Sequence, residues 1–300
     1  VLLFLGLQLF FHELIARTDD IAALEHISPT PPKEGNFALP APQQPSPLLS
    51  FGQTLIGQNH LQLAVNTYNP YPGGAFSGVD ANLTYGITDD TALYFDYPLR
   101  VESSNRVFQG NHMHDVILQL EHAIYAAGSA HYQEQATLVG AMNVPLDSVS
   151  GRLSNHGHVI DVNYAAPAYF LGATYNCTSI HWMGFLSPGL LLPTANSHVY
   201  PGVQYYYQAG IGRDLIAVAD RSILFALLEF NGQYTEKDQV YQYKLQNTGG
   251  NVMTITPSLS LATKDFIVQA GVGFPLLQNL NGSQQKMDYL VAANFTWTIV

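Results

Sequence analysis

The chain has 300 residues, of which 47% are hydrophobic, 12% aromatic and only 11% charged, with a formal net charge of −11. An ordinary soluble domain carries roughly 25% charged residues, so a water-facing surface of this composition would tend to associate. The lack of any basic run argues against nucleic acid as a partner, and the single cysteine, Cys177, excludes an intrachain disulfide or a multi-thiolate metal site.

The first eleven residues, Val1 to Phe11, form an apolar run of the length of a signal-peptide core, too short to span a bilayer. Residues 1–23 therefore read as a signal-peptide-like segment, with cleavage candidates around Ala16 or Ala22-Ala23 and a buried apolar helix as the alternative. Pro29, Pro31, Pro32, Pro40, Pro42, Pro45 and Pro47 follow, a density that forbids regular structure. Residues 24–50 are expected to be an extended linker, either a periplasmic tether or a segment lying in a lumen. No later stretch is apolar for the ~18 residues that a spanning helix needs.

From residue 58 the hydrophobic period becomes two. Twelve strands are predicted, at 58–68, 78–87, 91–100, 113–125, 131–144, 166–175, 180–191, 200–212, 222–234, 251–262, 265–275 and 287–299. In the third, Leu93, Phe95, Tyr97 and Leu99 oppose Tyr94 and Asp96; in the fourth, Val116, Leu118 and Leu120 oppose Asp115, Gln119 and Glu121. Side chains alternate faces along a strand, so these strands have one apolar and one polar face.

Low charge with such strands fits a membrane barrel or a secreted β-sandwich. Length and connections favour the barrel. The segments match or exceed the ~9–11 residues of a tilted membrane-spanning strand, against ~5–6 for a typical soluble one. Links after strands two, four, six and ten are short, the link after strand eight (213–221) is intermediate, and the others are mostly longer. Short periplasmic turns alternating with long external loops are the mark of an up-and-down barrel. The fold expected over residues 51–300 is thus an all-β, up-and-down antiparallel transmembrane β-barrel of about 12 strands in the bacterial cell outer membrane. Its expected partners are outer-membrane lipids, the outer-membrane assembly machinery and a small-molecule solute, with no cofactor.

The run Asn82 to Leu99, strand, Tyr85-Gly-Ile-Thr-Asp89 turn, strand and Pro98, resembles a hairpin of the meta-pathway phenol-degradation outer-membrane protein family. The stretch Gly273 to Gly282, with Gln278-Asn-Leu-Asn-Gly282, and then Asp288-Tyr289 with a closing strand, resembles the end of the same family. The resemblance covers roughly residues 52–300. It implies an outer-membrane channel for passive passage of small hydrophobic or aromatic compounds, and it supplies no catalytic residues. The chain departs from the barrel pattern in closing on Val300, after Phe295 and Trp297, where an aromatic residue usually serves the assembly machinery.

The lumen-facing candidates are Asp80, Asp96, Asp115, Gln119, Glu121, Tyr206, Glu229 and Asp288. With few basic residues to balance them, they suggest an acidic lumen favouring cations or neutral solutes. Glu134 shares parity with Leu138 and Met142 and so belongs near a strand end. Tyr205 and Tyr207 point outward as a girdle, with Tyr206 inward. His112 and His114 share a face and have chelating spacing, but their parity assigns them to an interfacial belt rather than a metal site. Ser154, Asn155, His156 and His158 contain the residue types of a hydrolytic relay, yet their adjacency in one loop favours a polar loop. A channel is the leading reading. A structural or adhesive barrel with a plugged lumen and an outer-membrane lipid hydrolase are the alternatives.

Overall fold

The computed structural model describes residues 33–52, 55–71, 77–102, 115–146, 150–155, 158–163, 166–196 and 198–299. The apolar run at 1–11, His112, His114 and His156 lie outside the described residues. Twelve strands close into one barrel: β1 (Leu61–Tyr71), β2 (Ser77–Thr88), β3 (Thr91–Glu102), β4 (Asp115–Gly128), β5 (Tyr132–Pro145), β6 (Ala168–Ser179), β7 (Trp182–Pro193), β8 (Gln204–Val218), β9 (Ser222–Thr235), β10 (Gly250–Thr263), β11 (Phe266–Leu280) and β12 (Tyr289–Ile299). Every neighbouring pair is antiparallel and consecutive. β1 closes the ring against β12, from Leu61↔Ile299 to Tyr71↔Tyr289. Closure gives each strand two hydrogen-bonding neighbours, the condition for placing backbone in hydrocarbon.

The two faces separate by chemistry as the alternation requires. Leu118, Leu120, Leu138, Leu171, Leu259, Phe274, Phe295 and Trp297 stand on the outer wall and are exposed. Gln119, Glu121, Thr137, Thr254, Thr256, Ser258, Ser260, Thr296 and Thr298 point inward and are buried. So broad an apolar exterior marks a surface whose solvent is lipid. One end carries the tight turns at 89–90, 129–131, 180–181, 219–221 and 264–265. The other carries the long connections, including a hairpin of Ser150–Asn155 against His158–Asn163 and short pairings of Val199–Tyr200 with Gln239–Val240 and of the latter with Tyr243–Lys244.

Two expectations are corrected. β8 runs on to Val218 rather than stopping at 212, because a register shift between Asp214 and Ile216 absorbs the polar interruption and keeps the ladder going. The link after it is therefore a tight turn like its neighbours. In addition, the inner wall is not polar throughout. Met183, Phe185, Ile223, Phe225, Leu227, Ala262 and Ile267 form a buried cluster inside the barrel near the short-turn end, sealed by Ala38 and Leu39.

Candidate functional site in the lumen

The described residues preceding β1, 33–52 and 55–60, run through the barrel interior from its short-turn end. At the short-turn end the Asn36 amide N–H donates to the Ile180 carbonyl (2.7 Å), and the Asp220 N–H donates to the Ala38 carbonyl (2.8 Å). The segment then follows the inner wall. The side-chain amide of Gln62 donates to the Pro42 carbonyl (2.6 Å), and that of Gln269 to the Ser46 carbonyl (3.3 Å). It returns to the same end, where the Gln58 N–H meets the Asp89 carboxylate (2.9 Å) and the Asn59 N–H meets the Gly86 carbonyl (2.9 Å). Gly86 is required there, because a Cβ would strike the Gly57 backbone.

Glu229 holds the turn of this strap. It lies on the inner face of β9 with no solvent exposure. One carboxylate oxygen accepts the Leu48 N–H (2.7 Å); the other accepts the N–H groups of Leu49 (3.2 Å) and Ser50 (3.1 Å) and the Ser50 hydroxyl (2.9 Å). The next residue, Phe51, donates its N–H to Gln208 (3.1 Å). Its ring meets Phe170 edge-on at 4.7 Å and Tyr206 at 6.4 Å. The opposed pair Gly172↔Gly189 leaves the floor for these rings, since a Cβ on either would strike them.

What stays open is a cavity of about 980 Å³. Its lining includes Asp80, Asp96, Gln119 and Tyr206 among the sequence candidates, together with Asn66, Tyr68, Asn82, Tyr94 and Asn294. Asp80 pairs across from Asn66, Asn82 from Asp96, and Tyr94 from Gln119, so these groups form one continuous patch on β1–β4. Among the described lining residues Asp and Glu occur without any Lys or Arg. Glu121 is buried and accepts the Gln119 side-chain amide (2.7 Å), and Asp115 is buried at the long-loop end of β4; neither lines the cavity. Glu229 serves the strap instead of open lumen. Asp288 lies outside the closing strand expected to carry it. β12 begins at Tyr289, whose ring stacks on Tyr71 at 5.0 Å, and Asp288 is an exposed loop residue whose N–H donates to the Tyr71 carbonyl (2.7 Å). Glu134 sits near the short-turn end of β5, where it accepts the Tyr125 hydroxyl at 3.5 Å. Ser154, Asn155 and His158 lie on the external hairpin.

No family model matches the chain, and no curated protein matches it. Solved structures do. An outer membrane channel from Pseudomonas putida F1 aligns with a TM-score of 0.57 at 12% identity, over 85% of this chain and 99% of that one. This chain has the outer-membrane β-barrel fold. The NanC porin aligns with a TM-score of 0.48 at 8% identity, over 78% of this chain and 98% of that one. LpxR from Salmonella typhimurium aligns with a TM-score of 0.46 at 8% identity, over 79% and 99%. The closed ring and lipid-facing exterior place the barrel in the bacterial outer membrane, with its tight turns in the periplasm and its long loops outside.

At the periplasmic rim the strap has a titratable anchor. The Lys33 ammonium donates to both oxygens of Asp220 at 2.9 Å and holds that carboxyl below its ordinary value. A depressed carboxylate stabilises the folded state above its unfolded pKa, about 3.9, and loses that contribution as pH falls through the lower folded value. The pair is exposed, so the effect is small. Carboxyl chemical shifts should show Asp220 titrating below ~3.9, with Lys33→Ala moving the midpoint back up.

Proposed function

We propose that the barrel is an outer-membrane channel through which small solutes pass passively beside the lumenal strap. The observation that carries this reading is the cavity of about 980 Å³, bounded by carboxamides, hydroxyls and acids and, among its described lining, without a fixed positive charge. Such a wall favours cations and neutral solutes over anions, because a narrow low-dielectric passage focuses the field of its carboxylates. The rings of Phe51, Tyr68, Tyr94, Phe170 and Tyr206 border the same space and support small aromatic or otherwise hydrophobic compounds as cargo, in keeping with the family that the hairpin and closing strand resemble. The similarity to a protein described as an outer membrane channel agrees with this reading.

A plugged structural barrel is the second reading, and the hold of Glu229 on residues 48–50 is what favours it. Planar-bilayer recording separates the two. A conducting wild-type barrel with a reversal potential displaced toward the cation equilibrium in a salt gradient supports the channel. A silent wild-type barrel, or a displacement toward anions, contradicts it. Liposome swelling with a small aromatic solute then tests the cargo class.

A further inference from the structure

On the outer wall, at the extracellular rim of β9–β11, a second cavity of about 570 Å³ opens between the loops. It does not belong to the lumen. Tyr234, Asn251 and Asn279 pair side by side across three strands, so all three point away from the barrel interior. Tyr234 is flanked by the ring of Tyr205 at 5.8 Å, and the Tyr207 hydroxyl donates to Asn251 (2.6 Å). One step toward the membrane centre on the same face come Met253 and Leu277, then the apolar Ile255 and Phe274. The cavity thus sits directly above the lipid-facing band, at the level of the outer leaflet's headgroups.

Its charge runs against that of the chain. In a protein of net charge −11, Lys237 and Lys244 line this one cavity. The Lys237 ammonium donates to a neutral acceptor, the Gln246 side chain (2.8 Å), and Lys244 is exposed. The one carboxylate of the lining, Glu236, accepts the Tyr205 hydroxyl (3.1 Å). Among the described residues neither lysine is held in an ion pair; those seen, Lys33–Asp220 and His181–Asp214, lie at the periplasmic end. Two ammonium groups available to an anion, carboxamides available to hydroxyls, and tyrosines at the interface form the donor set of a phosphorylated sugar, not of a simple lipid tail.

We propose that this cavity binds the phosphorylated glycolipid of the outer leaflet, lipopolysaccharide. Lys237 and Lys244 meet its phosphate, Asn251 and Asn279 meet sugar hydroxyls, and its acyl chains lie along Met253, Leu277, Ile255 and Phe274. The inference rests on placement in the outer membrane and not on the channel reading.

The test uses the full chain purified in detergent, with its heat-induced gel shift as the readout of folded barrel. Lipopolysaccharide, phosphatidylglycerol and inorganic phosphate are added in parallel. Lipopolysaccharide is expected to raise the midpoint of the wild-type shift, and the Lys237→Ala/Lys244→Ala variant to need at least about ten times more of it, a loss of about 1.4 kcal/mol. Asn279→Ala, which leaves both charges in place, is expected to weaken the response to a smaller degree and serves if the double variant does not fold. An unchanged response in the lysine variant, or in Asn279→Ala where that variant stands in, overturns the proposal. So does an equal response to phosphatidylglycerol, or a response to inorganic phosphate of the same size. Conductance of the same preparations is recorded separately, so failure of the channel reading leaves this result readable.

Discussion

The Glu229→Ala barrel is expected to carry several-fold more current than the wild type. The carboxylate accepts four hydrogen bonds from residues 48–50 in a site without solvent. A hydrogen bond to a charged group contributes about 1.5–3 kcal/mol net, and a buried N–H left without a partner costs about 1–3 kcal/mol. Losing even two such bonds shifts the balance between held and released strap by about 3 kcal/mol, on the order of a hundredfold. Glu229→Gln keeps the shape but offers one acceptor and turns an NH2 toward backbone donors, so its effect should approach that of alanine. Single-channel conductance measures the outcome, and protease cleavage near residue 50 reports release directly. If both variants conduct and resist cleavage as the wild type does, Glu229 is not what holds the strap.

Two adjacent residues of β4 should respond differently to the same substitution. Leu120 is 48% exposed on the outer wall, and Gln119 points into the cavity. Leu120→Arg puts a charge in hydrocarbon and should lower unfolding free energy in lipid vesicles by about 2–4 kcal/mol. Gln119→Arg should cost less, because the guanidinium can reach the cavity and replace the Gln119 amide as donor to Glu121, with Asp96 on a neighbouring inward position. It should also move the reversal potential toward anions. Equal destabilisation by both would mean that the two faces of β4 do not divide lipid from lumen.

The barrel wall was legible in the sequence because two solvents act on it. Leu93, Phe95, Tyr97 and Leu99 meet lipid while Tyr94 and Asp96 meet the lumen, and a period of two records that difference directly. Apart from the longer β8 and β11, the strands fall within a few residues of their expected places, and the alternation of short and long links held through the ring. The strap left no such trace. Its middle, residues 46–51, is held by the side chains of Glu229, Gln208 and Gln269, far away in sequence, and not by a ladder, so no local pattern encodes its path. One signal did exist. β9 reads Ile223-Leu-Phe-Ala-Leu-Leu228, apolar on both faces, which requires a second apolar partner inside the ring. Asp288 went astray for a simpler reason: alternation continues into Asp288-Tyr289, but pairing with β1 ends at Tyr71.

The strap is covalently continuous with β1 through Gly57 to His60, and that lead-in is pinned to β2 and its turn. Letting go of Glu229 therefore does not disperse it. A short tether keeps a released segment at a local concentration in the millimolar range. Re-occlusion is then a first-order event, indifferent to how dilute the protein is. A free peptide copying residues 46–52, added to a barrel lacking its own, would have to reach comparable millimolar levels before it blocked half the current.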